Sequence, residues 1–142
     1  MRYCDLIKLS GEERIIAEET LGISREQMLL YPQREAPEEI KALLEKRLSE
    51  LKAGRPLQYI LGYWEFEGRN FEVGEGVLIP REDTLAVLTL AKDALFGKRE
   101  AVFVDLGAGS GILAASLSLD LGVKGYAVEK SEKAFKYLEK NI

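Results

Sequence analysis

The residues best suited to bind a small molecule lie in a glycine-rich turn, Asp-Leu-Gly-Ala-Gly-Ser-Gly, at positions 105–111. The turn follows an apolar, β-branched stretch and precedes an apolar stretch that begins near Ile112. Glycines adopt positive φ angles and let a ligand approach the backbone closely. The first N–H groups of the following helix bind anionic or polar groups. The alternative is a turn that only joins a strand to a helix.

The spacing of the glycines narrows the class of ligand. Gly107, Gly109 and Gly111 form G-x-G-x-G, whereas a dinucleotide-binding turn has G-x-G-x-x-G. Asp105 precedes the first glycine by two residues. A carboxylate at this position repels a pyrophosphate but attracts an ammonium or sulfonium group. The turn therefore favours a cationic ligand over a dinucleotide.

A second candidate is Glu129, which ends the next apolar stretch, Tyr126-Ala127-Val128. A carboxylate at the end of a second strand can accept hydrogen bonds from both hydroxyl groups of a ribose. Standing alone, Glu129 would be interpreted as a solvated acid at a strand end. Together with Asp105 and the glycine turn, it favours binding of an adenosine.

The last third of the chain has the pattern of a strand–helix repeat that would position these residues. We expect helices and strands in the order helix Asp83–Phe96, strand Val102–Leu106, helix Ile112–Leu121, strand Gly125–Val128 and helix Glu132–Lys140. Alternating elements of this kind indicate βαβ units and a parallel sheet. Two parallel strands cannot make a sheet that is buried on both faces. We therefore expect the chain to be one piece of a longer protein.

The first third is helical in pattern. One helix is expected over Glu12–Leu21, and a second begins after Ser24 with Gln27 in a capping box. A third should have Pro37 as its first helical residue and end at Gly54. Its apolar residues form one stripe that is typical of core packing: Ile40, Leu43, Leu44, Leu48 and Leu51.

The middle of the chain changes to a period of two. Trp64–Glu67 and Phe71–Val73 alternate apolar and polar residues around Gly68–Asn70, which predicts a β-hairpin. Val77–Ile79 is a short apolar run that we expect to form a further strand.

Composition excludes several classes of site. The 142 residues carry a formal charge of −4, with no histidine and one cysteine. Catalytic triads with histidine and histidine-containing zinc sites are therefore excluded, and we expect no metal site. The acidic balance argues against direct nucleic-acid binding. A single cysteine and the lack of a signal-peptide or membrane-spanning pattern predict a cytoplasmic protein with no membrane partner.

Three segments resemble a known family. Residues 105–111 followed by Ala127-Val128-Glu129 are similar to the cofactor site of class I S-adenosylmethionine-dependent methyltransferases. Arg55–Gly62 and Leu78–Thr84 are more distinctive, and they resemble the release-factor glutamine N5-methyltransferases, the PrmC/HemK family. That family methylates the glutamine of the Gly-Gly-Gln loop in peptide chain release factors. The resemblance extends over roughly residues 12–142.

The resemblance implies an α/β protein with three parts. Residues 1–63 would be a small all-helical domain for substrate recognition, and residues 64–80 a β-hairpin linker. Residues 81–142 would be the first, incomplete part of a class I, Rossmann-like methyltransferase domain. The implied cofactor is S-adenosyl-L-methionine, and the implied partners are peptide chain release factors.

The resemblance also implies roles for individual residues. The methionine part of the cofactor would be wrapped by Gly107, Ala108, Gly109, Ser110 and Gly111. Glu129 would hold the ribose, and Asp105, beside the turn, would also bind the cofactor. Arg81 and Thr84 would line the methionine end of the pocket, where a guanidinium can pair with the cofactor carboxylate. Taken alone, Arg81 is a surface residue and Thr84 a helix N-cap.

The chain departs from the family in three places. Glu82–Leu85 replaces the usual Pro-Glu-Thr-Glu, and the helical domain is shorter by about one helix. The family's Asn-Pro-Pro-Tyr motif, which turns the amide nitrogen toward the methyl group, does not occur in the 142 residues. We therefore assign no catalytic residue and expect the chain to have no methyltransferase activity on its own.

Two other functions remain open from the residues. A related methyltransferase could act on another amide or amine, in a protein or a nucleic acid. The chain could instead be a non-catalytic binding module, although an exposed edge of a parallel sheet favours aggregation.

Overall fold

The structure, a computed structural model, describes residues 1–81 and 83–142 with their side chains, and residue 82 only as the start of a helix. The chain divides into two compact units, Met1–Leu61 and Gly62–Ile142. Helices and two small sheets together make it a mixed α/β protein, as the sequence predicts. Of the helices that the structure describes, none combines the length and apolar character needed to cross a bilayer.

The first unit is all-helical. Its helices are α1 Tyr3–Leu6, α2 Gly11–Leu21, α3 Arg25–Leu30, α4 Glu38–Lys52 and α5 Leu57–Leu61. Helix α2 packs against α4 and α5. Ile16 and Leu44 have no exposed surface and mark the centre of this core. Helices α1 and α5 are too short to show an apolar period, and the sequence analysis did not predict them.

At the N-terminal ends of α3 and α4, individual residues accept hydrogen bonds from the first turn of the helix. Ser24 forms the predicted capping box with Gln27. Pro37 is the N-cap of α4, so the prediction that it is the first helical residue was wrong. Its ψ angle of 144° is extended, and its carbonyl accepts hydrogen bonds from the N–H groups of Ile40 and Lys41 at 3.0 Å. The proline therefore closes the first turn as an acceptor.

The second unit contains both sheets. Its elements are β1 Tyr63–Phe66, β2 Arg69–Glu72, α6 Glu82–Leu95, β3 Val102–Leu106, α7 Ile112–Leu121, β4 Lys124–Val128 and α8 Glu132–Asn141. Strands β1 and β2 are antiparallel, and β3 and β4 are parallel and joined through α7. This confirms the predicted βαβ unit. The ladder runs from Val102 opposite Lys124 to Leu106 opposite Val128.

The hairpin is tighter than predicted. Phe66 pairs with Arg69, so the turn consists of Glu67 and Gly68, and Arg69 and Asn70 belong to β2. Both turn residues have positive φ, 49° and 73°, which is the requirement of a two-residue turn that matches strand twist. The sequence analysis placed the turn one residue later because glycine and asparagine are common in several turn types.

The predicted strand at Val77–Ile79 is absent from the described chain. The N–H of Val77 donates to the carbonyl of Gly74 at 3.2 Å, which closes a turn. Val77 is buried, whereas Leu78 is 72% exposed. An apolar run becomes a strand only where a neighbouring strand pairs with it, and the two sheets of the described residues do not include this run.

The β3–β4 sheet is covered on one face. Helix α7 packs against both strands on the face that carries Phe103 and Gly125. A core cluster on this side includes Phe66, Leu88 and Ile112, with Phe103 packed against it. The opposite face is open, and its apolar side chains are half or more exposed: Val102, Val104, Leu106, Tyr126 and Val128.

Candidate functional site

The glycine-rich turn lies where β3 ends and α7 begins, and we call residues 107–111 the glycine loop. Gly107, Gly109 and Gly111 have φ angles of 76°, 57° and 83°, in the left-handed region that glycine occupies without strain. The N–H groups of Gly107 and Ala108 both donate to the carbonyl of Val128, at 2.8 and 3.0 Å. The loop is therefore fixed to the end of β4.

Glu129 follows β4 directly and is brought to the glycine loop. Its Oε2 accepts a hydrogen bond from the Gly109 N–H at 2.9 Å, and its Oε1 accepts from the Ser131 N–H at 2.7 Å. These bonds, that of Ser131 first and that of Gly109 second, lower the pKa of Glu129. The side chain is therefore anionic at neutral pH, and it joins the loop to the start of α8.

Asp105 lies two residues before the loop, on the covered face of β3. Its Oδ2 is buried and has no hydrogen-bond partner among the described residues. Burial raises the pKa of Asp105, and the nearby Glu129 charge raises it further, while a hydrogen bond to the Ala114 backbone opposes them. A buried carboxylate oxygen without a partner is the kind of atom that a cationic ligand group stabilises.

Arg81 and Thr84 lie at the start of α6. Arg81 is the N-cap, so the interpretation of Thr84 as the N-cap was wrong. Thr84 lies three residues further, where its Oγ1 accepts a hydrogen bond from the Arg81 N–H at 3.2 Å. Among the described residues, hydrogen bonds join Arg81 and Thr84 to each other and not to the glycine loop.

The segment before α6 does approach the loop. A Cβ placed on Gly109 would lie 3.8 Å from Cγ2 of Val77, so the two residues are neighbours. Arg81 follows Val77 by four residues, a span of about 14 Å at most. The arginine side chain is exposed.

One residue that contacts the loop was missed by the sequence analysis. Asn141, the last residue of α8, donates a hydrogen bond from Nδ2 to the carbonyl of Ser110 at 2.8 Å. An asparagine at a helix end ordinarily indicates a cap or a turn. Only the packing of α8 shows that this side chain reaches the loop.

In this unit, the larger of two cavities does not coincide with the cluster of polar groups at the glycine loop. A groove of about 670 Å³ lies between α7, β4 and α8, and its lining is mostly apolar, as with Ala114, Leu119 and Phe135. None of the predicted cofactor residues lines it. A smaller cavity of about 280 Å³ between α6 and β3 includes Asp105. We place the candidate site at the glycine loop, because that is where the oriented polar groups converge.

Comparison with known proteins identifies related sequences. Residues 11–62 match the PrmC N-terminal domain family. The release factor glutamine methyltransferase of Aquifex aeolicus is 36% identical over 119 residues, which are 81% of this chain and 42% of that protein. That of Fusobacterium nucleatum is 33% identical over 128 residues, 89% of this chain and 36% of that protein.

A third relative, the release factor glutamine methyltransferase of Nitratidesulfovibrio vulgaris, is 35% identical over 131 residues. The match covers 92% of this chain and 43% of that protein. The chain thus spans less than half the length of these curated relatives. Between 81% and 92% of the chain aligns with these three relatives, at 33–36% identity. The chain therefore belongs to the release factor glutamine methyltransferase family.

Proposed function

We propose that this chain supplies the cofactor site of a protein that methylates peptide chain release factors. The reaction transfers a methyl group from S-adenosyl-L-methionine to the side-chain amide nitrogen of the glutamine in the Gly-Gly-Gln loop. The observation that carries the proposal is the contact between Glu129 and Gly109, which unites the two strongest sequence signals in one place. The names of the relatives supply the substrate.

The proposal includes an assignment of parts. Residues 1–63 serve as the substrate-recognition domain, residues 64–80 as the hairpin linker, and residues 81–142 as the first part of a Rossmann-like class I domain. The parallel β3–α7–β4 unit supports the last assignment, because a doubly wound sheet is built from such units. The single cysteine supports a reducing, cytoplasmic location.

The residues around the loop fit the cofactor chemically. The unpartnered Oδ2 of Asp105 provides a negative charge for the cationic methionine end. Oε2 of Glu129 accepts a hydrogen bond from Gly109 and Oε1 accepts one from Ser131, and a carboxylate has about four lone-pair sites in all. Ribose hydroxyl groups can therefore donate to Glu129 while the loop stays anchored. The open space beside Gly107 lets the methionine part lie against the backbone.

Arg81 and Thr84 complete the proposed pocket at its methionine end. The hydrogen bond between Thr84 and the Arg81 N–H holds the backbone at the start of α6, and the guanidinium is free to reach a carboxylate. When bound, the cofactor supplies a sulfonium that makes its methyl group electrophilic. The protein then has only to bind and orient the two reactants.

This chain does not contain the motif that orients the glutamine amide. Neither Asn-Pro nor Pro-Pro occurs in the sequence, so the family's amide clamp is not contained in it. Without a group that directs the nitrogen lone pair toward the methyl group, positioning contributes little to the rate. We therefore propose that the chain binds the cofactor but does not methylate by itself.

The helical unit presents an apolar surface for a protein substrate. Leu29, Leu30 and Tyr31 are consecutive and are 54%, 72% and 62% exposed. We propose that they take part in docking a release factor. The double variant Leu29→Ser/Leu30→Ser should bind a release factor at least tenfold more weakly, as about 1.4 kcal/mol of lost apolar contact would produce. Surface plasmon resonance measures this, with Lys46→Gln as a control on the same unit.

The decisive experiment on the reaction uses the longest reading frame that contains this sequence. The encoded protein is incubated with a release factor and labelled S-adenosylmethionine, and the Gly-Gly-Gln peptide is examined by mass spectrometry. We expect one added methyl group on the glutamine, and none on a release factor in which that glutamine is alanine. Methylation of a different residue or of a nucleic acid would instead favour another methyltransferase, and no transfer at all would favour a binding module.

A further inference from the structure

We infer that Asn141 is a positioning residue that holds the glycine loop in its binding geometry; the inference rests on the proposed cofactor site. The side chain makes three hydrogen bonds. Its Nδ2 donates to the carbonyls of Ser110 and Glu72, at 2.8 and 2.9 Å, and its Oδ1 accepts from the Glu72 N–H at 2.8 Å. Both N–H groups of the amide are used, which an aspartate could not reproduce.

The two hydrogen bonds from Asn141 to Glu72 resemble those that a neighbouring strand would make. One amide pairs with both the N–H and the carbonyl of the same β2 residue, as a strand partner does in a hydrogen-bonded antiparallel pair. The second N–H of the amide then extends to Ser110. Asn141 therefore connects the hairpin to the glycine loop through a single planar group.

The loop is held at successive peptide groups by different partners. The Val128 carbonyl holds the N–H groups of Gly107 and Ala108, and Glu129 holds that of Gly109. Asn141 holds the carbonyl of Ser110, the last one before Gly111 and the start of α7. Fixing that carbonyl fixes the plane of the Ser110–Gly111 peptide. The direction of the N–H groups that open α7 depends on this plane.

Packing explains why Asn141 reaches the loop. A Cβ on Gly111 would lie 2.6 Å from Cδ1 of Leu138, so α8 rests directly on the loop. Asn141 lies one turn beyond Leu138 on the same side of the helix. Ser110 is only 4% exposed, so water has little access to its carbonyl if the amide is removed.

The segment between the hairpin and α6 is held by the same helix. Cβ atoms placed on Gly74 and Gly76 would collide with the side chains of Tyr137 and Lys133. Lys133, Tyr137 and Asn141 are spaced by four residues and form one stripe along α8. This stripe contacts the linker and the hairpin, and its last member also holds the loop.

The test compares Asn141→Asp and Asn141→Ala with wild type and with Lys140→Met. Aspartate keeps the size of the side chain and the acceptor for the Glu72 N–H but places an oxygen against both carbonyls. Alanine removes all three bonds. Lys140 pairs with the Glu72 carboxylate at 2.5 Å, so its loss perturbs the same residue of β2 without touching the loop.

The first readout is the rate of amide hydrogen exchange, measured by NMR. The chain is free of ligand and is kept at a temperature where every variant is folded. We expect the Gly109 and Gly111 amides to exchange at least tenfold faster in both Asn141 variants. Amides in the middle of β3 and β4 should be unchanged in the Asn141 variants, and the Gly109 and Gly111 amides should be unchanged in Lys140→Met. Unchanged exchange and chemical shifts at Gly109 and Gly111 in the Asn141 variants would overturn the inference.

The second readout is the affinity for S-adenosylmethionine by isothermal titration. We expect the Asn141 variants to bind at least tenfold more weakly than wild type and Lys140→Met. Equal affinity would overturn the role of Asn141 in binding. If wild type itself does not bind, the proposed function is contradicted, and the exchange rates still decide whether Asn141 holds the loop.

Discussion

The glycine loop and the open face of the β3–β4 sheet differ in how they are stabilised. At the glycine loop, backbone groups are held by Val128, Glu129 and Asn141. On the open face of the same sheet, the side chains of Val104 and Tyr126 are 56% and 52% exposed. The loop therefore takes its shape from groups at the end of β4 and at the end of α8.

The largest expected change in the free energy of unfolding distinguishes the covered face of the β3–β4 sheet from its open face. An alanine at Gly125 would place its Cβ against the outer edge of the Phe103 ring, closer than a normal contact allows. We expect Gly125→Ala to lower the free energy of unfolding by about 3 kcal/mol, because the ring must shift and it packs against a core cluster that includes Ile112 and Leu117 of α7. The matched substitution on the open face, Val104→Ala, should cost less than about 1 kcal/mol.

Urea denaturation followed by circular dichroism measures both changes. If Val104→Ala destabilises the chain as much as Gly125→Ala does, the open face contributes to folding and the comparison fails. The open face should instead affect association, because exposed apolar surface on a sheet favours contact between molecules.

A second prediction concerns Asp105, where binding and stability should oppose each other. Asp105→Asn removes a partly buried charge whose Oδ2 lacks a partner in the described chain. We expect the free energy of unfolding to rise by about 1 kcal/mol at neutral pH, less than full burial would give. Affinity for S-adenosylmethionine should fall, because the cationic end loses its counter-charge.

The pH dependence of this effect follows from the raised pKa of Asp105, caused first by burial. The folded state holds the proton more tightly than the unfolded state, so the contribution to stability is fully present below the ordinary value of 3.8 and is lost as pH rises through the folded pKa. The gain from Asp105→Asn should therefore vanish at low pH. A gain that persists there would have another cause.

A smaller effect is expected at an ion-pair network on the covered side. Lys92 of α6 pairs with Glu67 of the hairpin turn and with Asp120 of α7, at 2.6 and 2.7 Å, and Arg69 also pairs with Asp120. These pairs, that with Arg69 first, lower the pKa of Asp120. The side chains of Lys92 and Asp120 are only 26% and 20% exposed. We expect Asp120→Asn to cost about 0.5 kcal/mol.

The sign with pH is opposite to that of Asp105. A lowered pKa gives stability that is present above the ordinary value of 3.8 and is lost as pH falls through the folded pKa. Acid titration of the unfolding midpoint should therefore show a smaller loss in Asp120→Asn than in wild type. Asp5→Asn, which removes an exposed pair with Lys8 at 3.8 Å, should leave the midpoint unchanged.

Sequence patterns predicted the parts of the fold that depend on local periodicity. The helices of the second unit and the β3–α7–β4 order follow from periods of 3.6 and 2 and from glycine breaks. Val77–Ile79 was predicted wrongly because β-branched residues indicate a strand even where no partner strand is available. The hairpin turn was predicted at Gly68–Asn70 rather than at Glu67 and Gly68, because the turn type depends on φ angles that composition does not specify.

The candidate site shows the same division. The glycine loop and Glu129 are recognisable from residue type and spacing, and the structure brings them together through the Gly109 N–H. Asn141 could not be found from the sequence, because its contacts join residues 31 and 69 positions away. Contacts of that kind depend on how α8 packs, and no local pattern encodes them.

The central claim is that the glycine loop and Glu129 form a site for S-adenosylmethionine. Isothermal titration of the chain tests it most directly, with Glu129→Gln as the variant and Glu132→Gln, an exposed acid at the start of α8, as the control. The account predicts saturable binding by wild type and the control, and at least tenfold weaker binding by Glu129→Gln, which loses a charged acceptor. Equal binding by Glu129→Gln and wild type, or no binding by either, would contradict it.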